Sequence, residues 1–344
     1  VALTRHTAVY RICSHVRTMM PERIIHRHIP AVHTEVLPVL SLKEIICGNS
    51  GSGIIAAADN QIRSLAVQIS YTGKEPAARR AGRNDFDPYK QVMDRITQLT
   101  DIGHQTDKID LIIMGGTFTC RDREYQQWFI RRCFDAMNAV DSTTLGEAQA
   151  LNETSDHRCV GLTVETRPDV FDETQITRAM ELGATRVELG VQILDDEVLQ
   201  KVDRGHGTKE VIECTKRCKD HGLKVCYHLM PGLPGSSPEH DLECFRKVFD
   251  LPEYRPDMLK FYPTLVVDGT KVKDWWSKGS YTPLDTEEAV DLLCKMKETV
   301  PEYVRIQRIQ RDIPVPQITA GIMKSNIRQL VADEMQDRGR PCRC

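Results

Sequence analysis

The chain has 344 residues, a formal net charge of −3 and a hydrophobic content of 40%. A length of this order forms one large domain or two, and it can bury a core that needs no disulfide bonds. The nearly balanced charge argues against a protein that coats DNA through overall positive charge, although a local basic groove is compatible with it.

The sequence lacks two further features, a run of about eighteen apolar residues and an apolar N-terminal segment with a small-residue cleavage site. We therefore expect a cytoplasmic protein with no membrane span. Its twelve cysteines are more typical of thiols or metal ligands than of a disulfide framework. The eight that lie between Cys120 and Cys294 are expected to be buried structural thiols.

From Asp110 onward, apolar strand-like runs alternate with amphipathic helix-like runs. Six strands are predicted, over Asp110 to Gly116, Cys159 to Glu165, Thr185 to Gln192, Leu223 to Met230, Asp257 to Pro263 and Tyr303 to Ile309. Strand, helix and strand at this spacing indicate right-handed βαβ units and a parallel sheet. Because glycine-rich phosphate loops are scarce, the pattern favours an incomplete (β/α) barrel over a doubly wound nucleotide-binding fold.

Polar side chains follow the predicted strands at the points where the strands end. In "VGLTVETRPDV" the apolar strand stops in Glu165 and Arg167, and Gln192 and His228 end the next two strands. Chemistry in such barrels takes place at the carboxyl ends of the strands. The sequence therefore predicts one polar site at this edge of the sheet.

Several strings in a fixed order carry a family resemblance, among them "SYTGKEPAARRA", "MGGTF", "VETRPD", "RGHGTKEVIE", "KVCYHLMPGLPGS" and "RIQRIQRDIP". From about Ser70 to the end, the chain resembles the radical-SAM domain of the elongator catalytic subunit. The resemblance implies an α/β fold, a partial (β/α)6 radical-SAM-type barrel, here with an irregular N-terminal segment. It also implies carboxymethylation of the wobble uridine of tRNA at C5, with S-adenosylmethionine (SAM), a 4Fe–4S cluster and acetyl-CoA as cofactors.

The resemblance also divides the chain and suggests its partners. Residues 1–69 form an unmatched segment, residues 70–330 the barrel and residues 331–344 the start of a zinc-binding linker. The implied partners are the tRNA anticodon stem-loop and other elongator subunits, with neither DNA nor a membrane.

Matched residue by residue, the resemblance assigns candidate ligand contacts. Lys108 matches a lysine that the family uses for acetyl-CoA. The candidates for SAM binding are Gly115, Gly116, Thr117, Glu165, Arg167, Gln192 and His228. Within this set, a guanidinium such as that of Arg167 suits the SAM carboxylate and a carboxylate such as that of Glu165 suits the ribose hydroxyls.

Two groups of arginines are candidates for phosphate contacts with tRNA. They are Arg79, Arg80 and Arg83 in the first group and Arg305, Arg308 and Arg311 in the second. Near the C-terminus, Cys342 and Cys344 resemble the beginning of a zinc-binding cysteine cluster, which is incomplete as a tetrahedral site.

The pattern departs from the family at the iron–sulfur cluster. The family carries three closely spaced cysteines ahead of "SYTGKEP", but here Cys13 and Cys47 are the only cysteines before Ser70. Two thiolates do not hold a 4Fe–4S cluster in the usual way. Either this segment is divergent or out of frame, or the protein has lost its cluster. A substitute ligand set of His26, His28 and His33 with Cys47 follows no known metal-binding spacing.

Three functions therefore stay open. The first is a radical-SAM tRNA-modifying enzyme. The second is a catalytically inactive barrel that still binds tRNA. The third is a (β/α) enzyme that uses Glu165 or His228 in acid–base chemistry without a radical.

Overall fold

In the computed structural model, which describes residues 8–13, 76–114, 117–310, 313–340 and 342–343, the centre of the fold is a sheet of seven parallel strands. These strands are β1 (Ala8–Cys13), β2 (Lys108–Met114), β3 (Arg158–Thr166), β4 (Arg186–Gln192), β5 (Lys224–Leu229), β6 (Met258–Phe261) and β8 (Arg305–Ile309). A small antiparallel pair, β7 (Val266–Val267) and β9 (Ile318–Ala320), lies outside this sheet.

The order of the strands in space follows their order in the chain, and each neighbouring pair is parallel. Right-handed crossovers that always add the next strand at the same edge place the connecting helices on one face. This arrangement is that of a barrel, and the sheet curls as a half-barrel. The predicted fold class and its six strands are confirmed, and β1 is an additional strand that pairs with β2.

Eleven helices are present in the part of the chain that the structure describes. They are α1 (Pro76–Arg83), α2 (Pro88–Asp101), α3 (Arg123–Asn138), α4 (Leu145–Asn152), α5 (Glu173–Glu181), α6 (Asp196–Lys201), α7 (Thr208–Asp220), α8 (Pro238–Asp250), α9 (Lys271–Ser277), α10 (Thr286–Glu298) and α11 (Ile327–Asp337). None of them combines the length and the apolar composition that a bilayer crossing requires.

The two faces of the sheet differ sharply in chemistry. On β4, Val187, Leu189 and Val191 are fully buried in the main hydrophobic core. Successive side chains of a strand point to opposite faces. Arg186 and Glu188 therefore lie on the other face, inside the curl. The connecting helices pack on the apolar face, whereas the inner face carries polar groups on β4 and packs against α1 at β2.

Side-chain caps fix where the helices begin after β3, β4 and β5. The side chain of Asp172 accepts a hydrogen bond from the backbone N–H of Gln175 at the start of α5, at 2.9 Å. Asp195 does the same at α6, and Ser237 at α8. These caps satisfy backbone donors that have no partner within the helix. They therefore hold the helix starts next to the carboxyl ends of the strands.

The apolar face should supply most of the stability of the sheet. Leu162 on β3 is 1% exposed, whereas Val160 on the same strand is 47% exposed. Leu162→Ala should lower the free energy of unfolding by about 2–5 kcal/mol, because it removes buried methyl groups and leaves a cavity. Val160→Ala is the matched control and should cost less than about 1 kcal/mol. Urea denaturation measures both, and equal losses would contradict the burial of Leu162 in the core.

Candidate functional site

Three of the predicted SAM-binding residues meet at the carboxyl ends of adjacent strands. Glu165, Gln192 and His228 come from β3, β4 and β5, and Nδ1 of His228 lies 3.7 Å from Oε1 of Glu165. The side chains of Glu165 and His228 are only 12% and 6% exposed. Glu165 and His228 are therefore neighbours on the inner face, and Gln192 ends the strand between them. We call this region, at the carboxyl ends of β3, β4 and β5, the mouth.

A buried charge network lies beneath the mouth. Oε2 of Glu188 accepts a hydrogen bond from Nε2 of His228 at 2.8 Å and another from Nζ of Lys260. Glu188 is 1% exposed and Lys260 is fully buried. Burial alone would raise the pKa of Glu188, but the Lys260 ammonium and the His228 imidazole outweigh it and hold this pKa well below its usual range. Glu188 is therefore an ionised carboxylate that fixes His228.

A second ion pair continues the network deeper into the curl. Nη2 of Arg186 contacts Oδ1 of Asp110, and both side chains are largely buried. Burial raises the pKa of Asp110, and the Arg186 guanidinium opposes this shift. A Cβ atom at Gly161 would lie 2.5 Å from Nη2 of Arg186, so the pair occupies the space left by the missing side chain. Charged side chains fill the interior that apolar residues fill in many barrels.

Arg167 takes a different position from the one expected for a SAM-carboxylate contact. Its guanidinium is bidentate to Asp169, through Nε at 2.9 Å and through Nη2. The same guanidinium lies under Gly205, whose φ of +74° places it in the left-handed region. The Nε–Nη2 edge that would bind a ligand carboxylate is therefore occupied by Asp169.

Two residues of the "RGHG" stretch also reach the mouth, and the sequence analysis gave them no role. Nη2 of Arg204 donates to the backbone oxygen of Gly190 at 2.8 Å, and Nε2 of His206 lies 3.5 Å from the backbone oxygen of Val191. Burial, helped by the Arg204 guanidinium, lowers the pKa of His206 to about 4. The sequence feature that could have indicated this contact is the glycine on each side of His206. Glycines give the backbone the freedom to fold back over a strand end.

Buried acceptors at the mouth have no hydrogen-bond partner among the described protein atoms. They include Oε1 of Gln192, at a residue with φ of +73°, and Oε1 of Glu188. Buried polar groups without partners are rare in folded proteins and often face a ligand or water. Together with the Glu165 carboxylate, these acceptors fit the hydroxyl and ammonium groups of a polar ligand such as SAM.

The described residues do not fit a 4Fe–4S cluster. A cluster that binds SAM requires three cysteine thiolates close together. In the described part of the chain, the two groups of three or more candidate metal ligands contain one cysteine each. The residues considered as substitute ligands, His26, His28, His33 and Cys47, lie outside the described residues.

The other predicted contacts are not all brought to the mouth. Thr117 follows β2 at its carboxyl end and is half-buried, whereas Gly115 and Gly116 lie outside the described residues. Lys108 is the first residue of β2, so it lies at the amino ends of the strands, whereas Glu165 and His228 lie near the carboxyl ends. Contacts from Lys108 to acetyl-CoA would therefore form away from the mouth.

The two arginine groups lie on different parts of the sheet. Arg79 and Arg83 are exposed on α1, and the buried alanines of that helix pack against Ile112 and Met114 near the carboxyl end of β2. Arg80 is half-buried on the same helix.

The second group belongs to the far edge strand. Arg305 is exposed at the amino end of β8, and Arg308 is half-buried near its carboxyl end. Arg311 lies outside the described residues. Of the described candidates, those on α1 lie nearer the carboxyl ends of the strands than Arg305 does.

Among the cysteines whose side chains the structure describes, eight are free thiols and Cys342 is disulfide-bonded. Six of the eight cysteines between Cys120 and Cys294 are buried, and Cys120 and Cys159 are half-buried. Cys342 is half-buried and disulfide-bonded, so zinc binding by this residue requires its reduction. Cys344 lies outside the described residues.

Comparison with known families gives two matches that cover most of the chain. The sequence profile of the Radical SAM superfamily matches residues 63–248. The profile of the Radical SAM C-terminal domain matches residues 256–337.

Curated relatives include archaeal and eukaryotic proteins. The chain is 52% identical over 278 residues to the tRNA uridine(34) acetyltransferase of Methanocaldococcus jannaschii. This match covers 81% of this chain and 51% of that protein. It is 41% identical over 274 residues to human Elongator complex protein 3, covering 80% of this chain and 50% of that protein. The chain thus spans about half the length of these relatives.

A solved structure agrees with the fold. The archaeal Methanocaldococcus infernus Elp3 with an N-terminal deletion superposes with a TM-score of 0.74 at 52% identity. The match covers 76% of this chain and 61% of that chain. The sheet and the helices described above are therefore those of an Elp3 structure over three quarters of the sequence.

The buried network makes a prediction about stability. Lys260→Met should lower the free energy of unfolding by about 3–5 kcal/mol at neutral pH, because it leaves the buried Glu188 carboxylate without its ammonium partner. Adding Glu188→Gln to the same protein removes that charge and should restore a large part of the loss. Urea denaturation of both single variants and the double variant measures the coupling. Purely additive losses would contradict a direct pair.

His206 makes a prediction about pH. Its pKa of about 4 lies below the value of about 6.5 for an unfolded histidine, so the unfolded chain binds more protons between these values. The His206 contribution is therefore present above pH 6.5 and is lost as the pH falls toward 4. His206→Gln should flatten the dependence of unfolding free energy on pH in this window. An NMR titration that gives an ordinary histidine pKa would contradict the assignment.

Proposed function

Since this chain belongs to the radical SAM superfamily, we propose that it forms the SAM- and tRNA-binding barrel of an enzyme that modifies the wobble uridine of tRNA. The observation that carries the proposal is the cluster of Glu165, Gln192 and His228 at the carboxyl ends of adjacent strands, in a chain 52% identical over 278 residues to a tRNA uridine(34) acetyltransferase. For the whole protein, the finer proposal is carboxymethylation at C5 with acetyl-CoA as the donor.

The mouth supports SAM binding through acceptors that are already in place. The Glu165 carboxylate is positioned to accept hydrogen bonds from the ribose hydroxyls, and the partnerless Oε1 of Gln192 adds a second acceptor. His228 is held between Glu165 and Glu188, so its ring is fixed before the ligand arrives. Preorganised groups of this kind reduce the entropic cost of binding.

Arg167 has a positioning role in this proposal. It pairs with Asp169 and packs against Gly205, and these two residues follow β3 and α6 at the rim of the mouth. Arg204 and His206 extend the same contact to the backbone of β4. The SAM carboxylate would then be held by backbone donors or by other cations.

The tRNA surface is proposed on the side of the mouth that α1 forms. Arg79 and Arg83 are exposed there, and phosphate contacts from such residues supply affinity that decreases with salt. Lys108, at the amino ends of the strands, is a candidate for acetyl-CoA contact from a separate site. Zinc at Cys342 and Cys344, elongator subunits as partners and a cytoplasmic location complete the proposal.

A second function is a barrel that binds tRNA without radical chemistry. It is favoured by the lack of three clustered cysteines among the described residues and by the presence of only Cys13 and Cys47 before Ser70 in the sequence. A 4Fe–4S cluster, when bound, supplies the electron that cleaves SAM. We derive no such step for this chain, since the described residues do not fit the cluster.

Two variants, each expected to weaken the binding of one ligand only, test the proposal. Glu165→Gln should weaken SAM binding roughly 10- to 100-fold, because a charged acceptor is lost, and leave tRNA affinity unchanged. Arg79→Ala with Arg83→Ala should weaken tRNA binding roughly 10-fold and reduce the salt slope by about 2, and leave SAM affinity unchanged. Equilibrium dialysis with labelled SAM measures the SAM affinity, and filter binding with tRNA measures the tRNA affinity.

The controls separate the two functions. Arg246→Ala, at an exposed position on α8, is the matched control for the arginine pair and should change neither affinity. Binding of tRNA without measurable SAM binding would favour the inactive barrel over the enzyme. No binding of either ligand by a folded chain would exclude both.

A further inference from the structure

A mixed cluster of metal-binding side chains lies beside the mouth, apart from the residues already described. It consists of Asp195, His240 and Cys244, which we call the Asp-His-Cys cluster. Nε2 of His240 is 3.1 Å from Oδ2 of Asp195 and 3.5 Å from Sγ of Cys244. The three ligand atoms all lie within 4.8 Å of one another.

Two helix starts bring these side chains together. His240 and Cys244 are four residues apart on α8, so they lie on one face of the helix. Asp195 caps α6, and its Oδ1 accepts a hydrogen bond from the backbone N–H of Val198 at 2.8 Å. This bond fixes the carboxylate, so that Oδ2 faces His240. An oriented ligand of this kind is usual in metal sites.

Hydrogen bonds among these three side chains cannot satisfy both contacts of His240 at once. Both close contacts are made by the same ring atom, Nε2 of His240. An imidazole nitrogen carries either one hydrogen or one lone pair, so it can donate to Asp195 or accept from the Cys244 thiol, but it cannot do both. One cation between the three atoms would use the nitrogen lone pair, the carboxylate and the sulfur together.

The two separations that involve His240 are close to those of a tetrahedral metal site. Zinc bonds of the usual lengths place neighbouring nitrogen, oxygen and sulfur ligands roughly 3.3–3.6 Å apart. The observed distances of 3.1 and 3.5 Å are close to this range. We propose that Asp195, His240 and Cys244 bind a divalent transition-metal cation, for which zinc is the best match to a mixed N, O and S ligand set.

The site is accessible and leaves one position open. The side chains of His240 and Asp195 are 34% and 23% exposed, so a cation can enter from solvent, and water completes the tetrahedron. Burial raises the pKa of the Cys244 thiol to about 11, so the thiol is protonated until a cation arrives. Binding therefore breaks the S–H bond, forms a metal–sulfur bond and releases one proton to solvent.

The other mixed group of ligands in the described residues does not compete for this role. Glu188, Cys226 and His228 also lie close together, but the ammonium of Lys260 already contacts the Glu188 carboxylate. A divalent cation at that carboxylate would have a buried positive charge beside it. Among the described residues, no lysine or arginine pairs with the Asp195 carboxylate.

A bound metal would join two loops that form the rim of the mouth. Asp195 follows β4 by three residues, and α8 carries His240 next to Asp241. Asp241 accepts hydrogen bonds from the backbone N–H of Gly232 and from Oγ of Ser236, both at 2.6 Å. The metal would therefore link the loop after β4 to the loop after β5, whose Gly232 is held by the same helix turn.

Metal titration of the full chain tests the site. The background carries Cys342→Ser and Cys344→Ser, so that the predicted C-terminal zinc pair does not contribute. Dialysis against zinc should leave about one equivalent bound. Cobalt(II), as a probe, should give a thiolate-to-cobalt charge-transfer band in the near ultraviolet, and zinc should abolish it. Zinc should also raise the melting temperature.

Variants assign the ligands. Cys244→Ser should abolish the cobalt band, and Asp195→Asn and His240→Gln should each weaken zinc binding by roughly 100-fold or more. Cys294→Ser, which changes a buried thiol on α10, is the matched control and should keep the band. Circular dichroism of the metal-free variants confirms that they fold.

Two results would overturn the proposal. One is zinc affinity that stays unchanged in His240→Gln and Asp195→Asn, both folded. The other is a cobalt band that survives Cys244→Ser and disappears in Cys226→Ser, which would place the metal on the other group. Because neither result involves SAM or tRNA, failure of this inference is distinct from failure of the proposed function.

Discussion

The inner face of the sheet depends on one buried carboxylate, Glu188, and on the two side chains that donate hydrogen bonds to it. Placing a carboxylate and an ammonium in the interior costs several kcal/mol for each ion, and only close pairing offsets that cost. Lys260 and His228 supply the pairing from the two strands that follow β4. The same contacts fix the His228 ring at the mouth, so a requirement of stability also orients a candidate binding residue.

The opposite face explains why such a costly interior can persist. Residues such as Leu162, Val187 and Leu189 are almost fully buried against the helices and form one continuous core. Since each crossover adds a strand at the same edge, the connecting helices lie on that face. On the inner face, α1 covers Ile112 and Met114 of β2, and polar groups remain on β3, β4 and β5. A cavity-facing polar surface then remains at the carboxyl ends of the strands, where the loops after β3, β4 and β5 carry the ligand-facing groups.

The sequence predicted the strands and their functional ends better than it predicted what those ends contact. Glu165, Gln192 and His228 were found because apolar alternation stops at them, and a parallel sheet places such ends along one edge. Arg167 was expected to face a ligand but pairs with Asp169 two residues later. Lys108 was assigned to acetyl-CoA from the family resemblance alone, and it begins its strand, whereas Glu165 and His228 lie near the ends of theirs.

By itself, the sequence determined the fold class, because side-chain periodicity and the alternation of strands with helices act locally along the chain. Only the tertiary structure decided which charges are neutralised. Glu188 and Lys260 are 72 residues apart in sequence, and nothing near either residue indicates the other. The same holds for Asp195 and His240, which are 45 residues apart and meet because two helices begin side by side. Contacts between distant residues follow from the packing of whole elements, which local patterns do not encode.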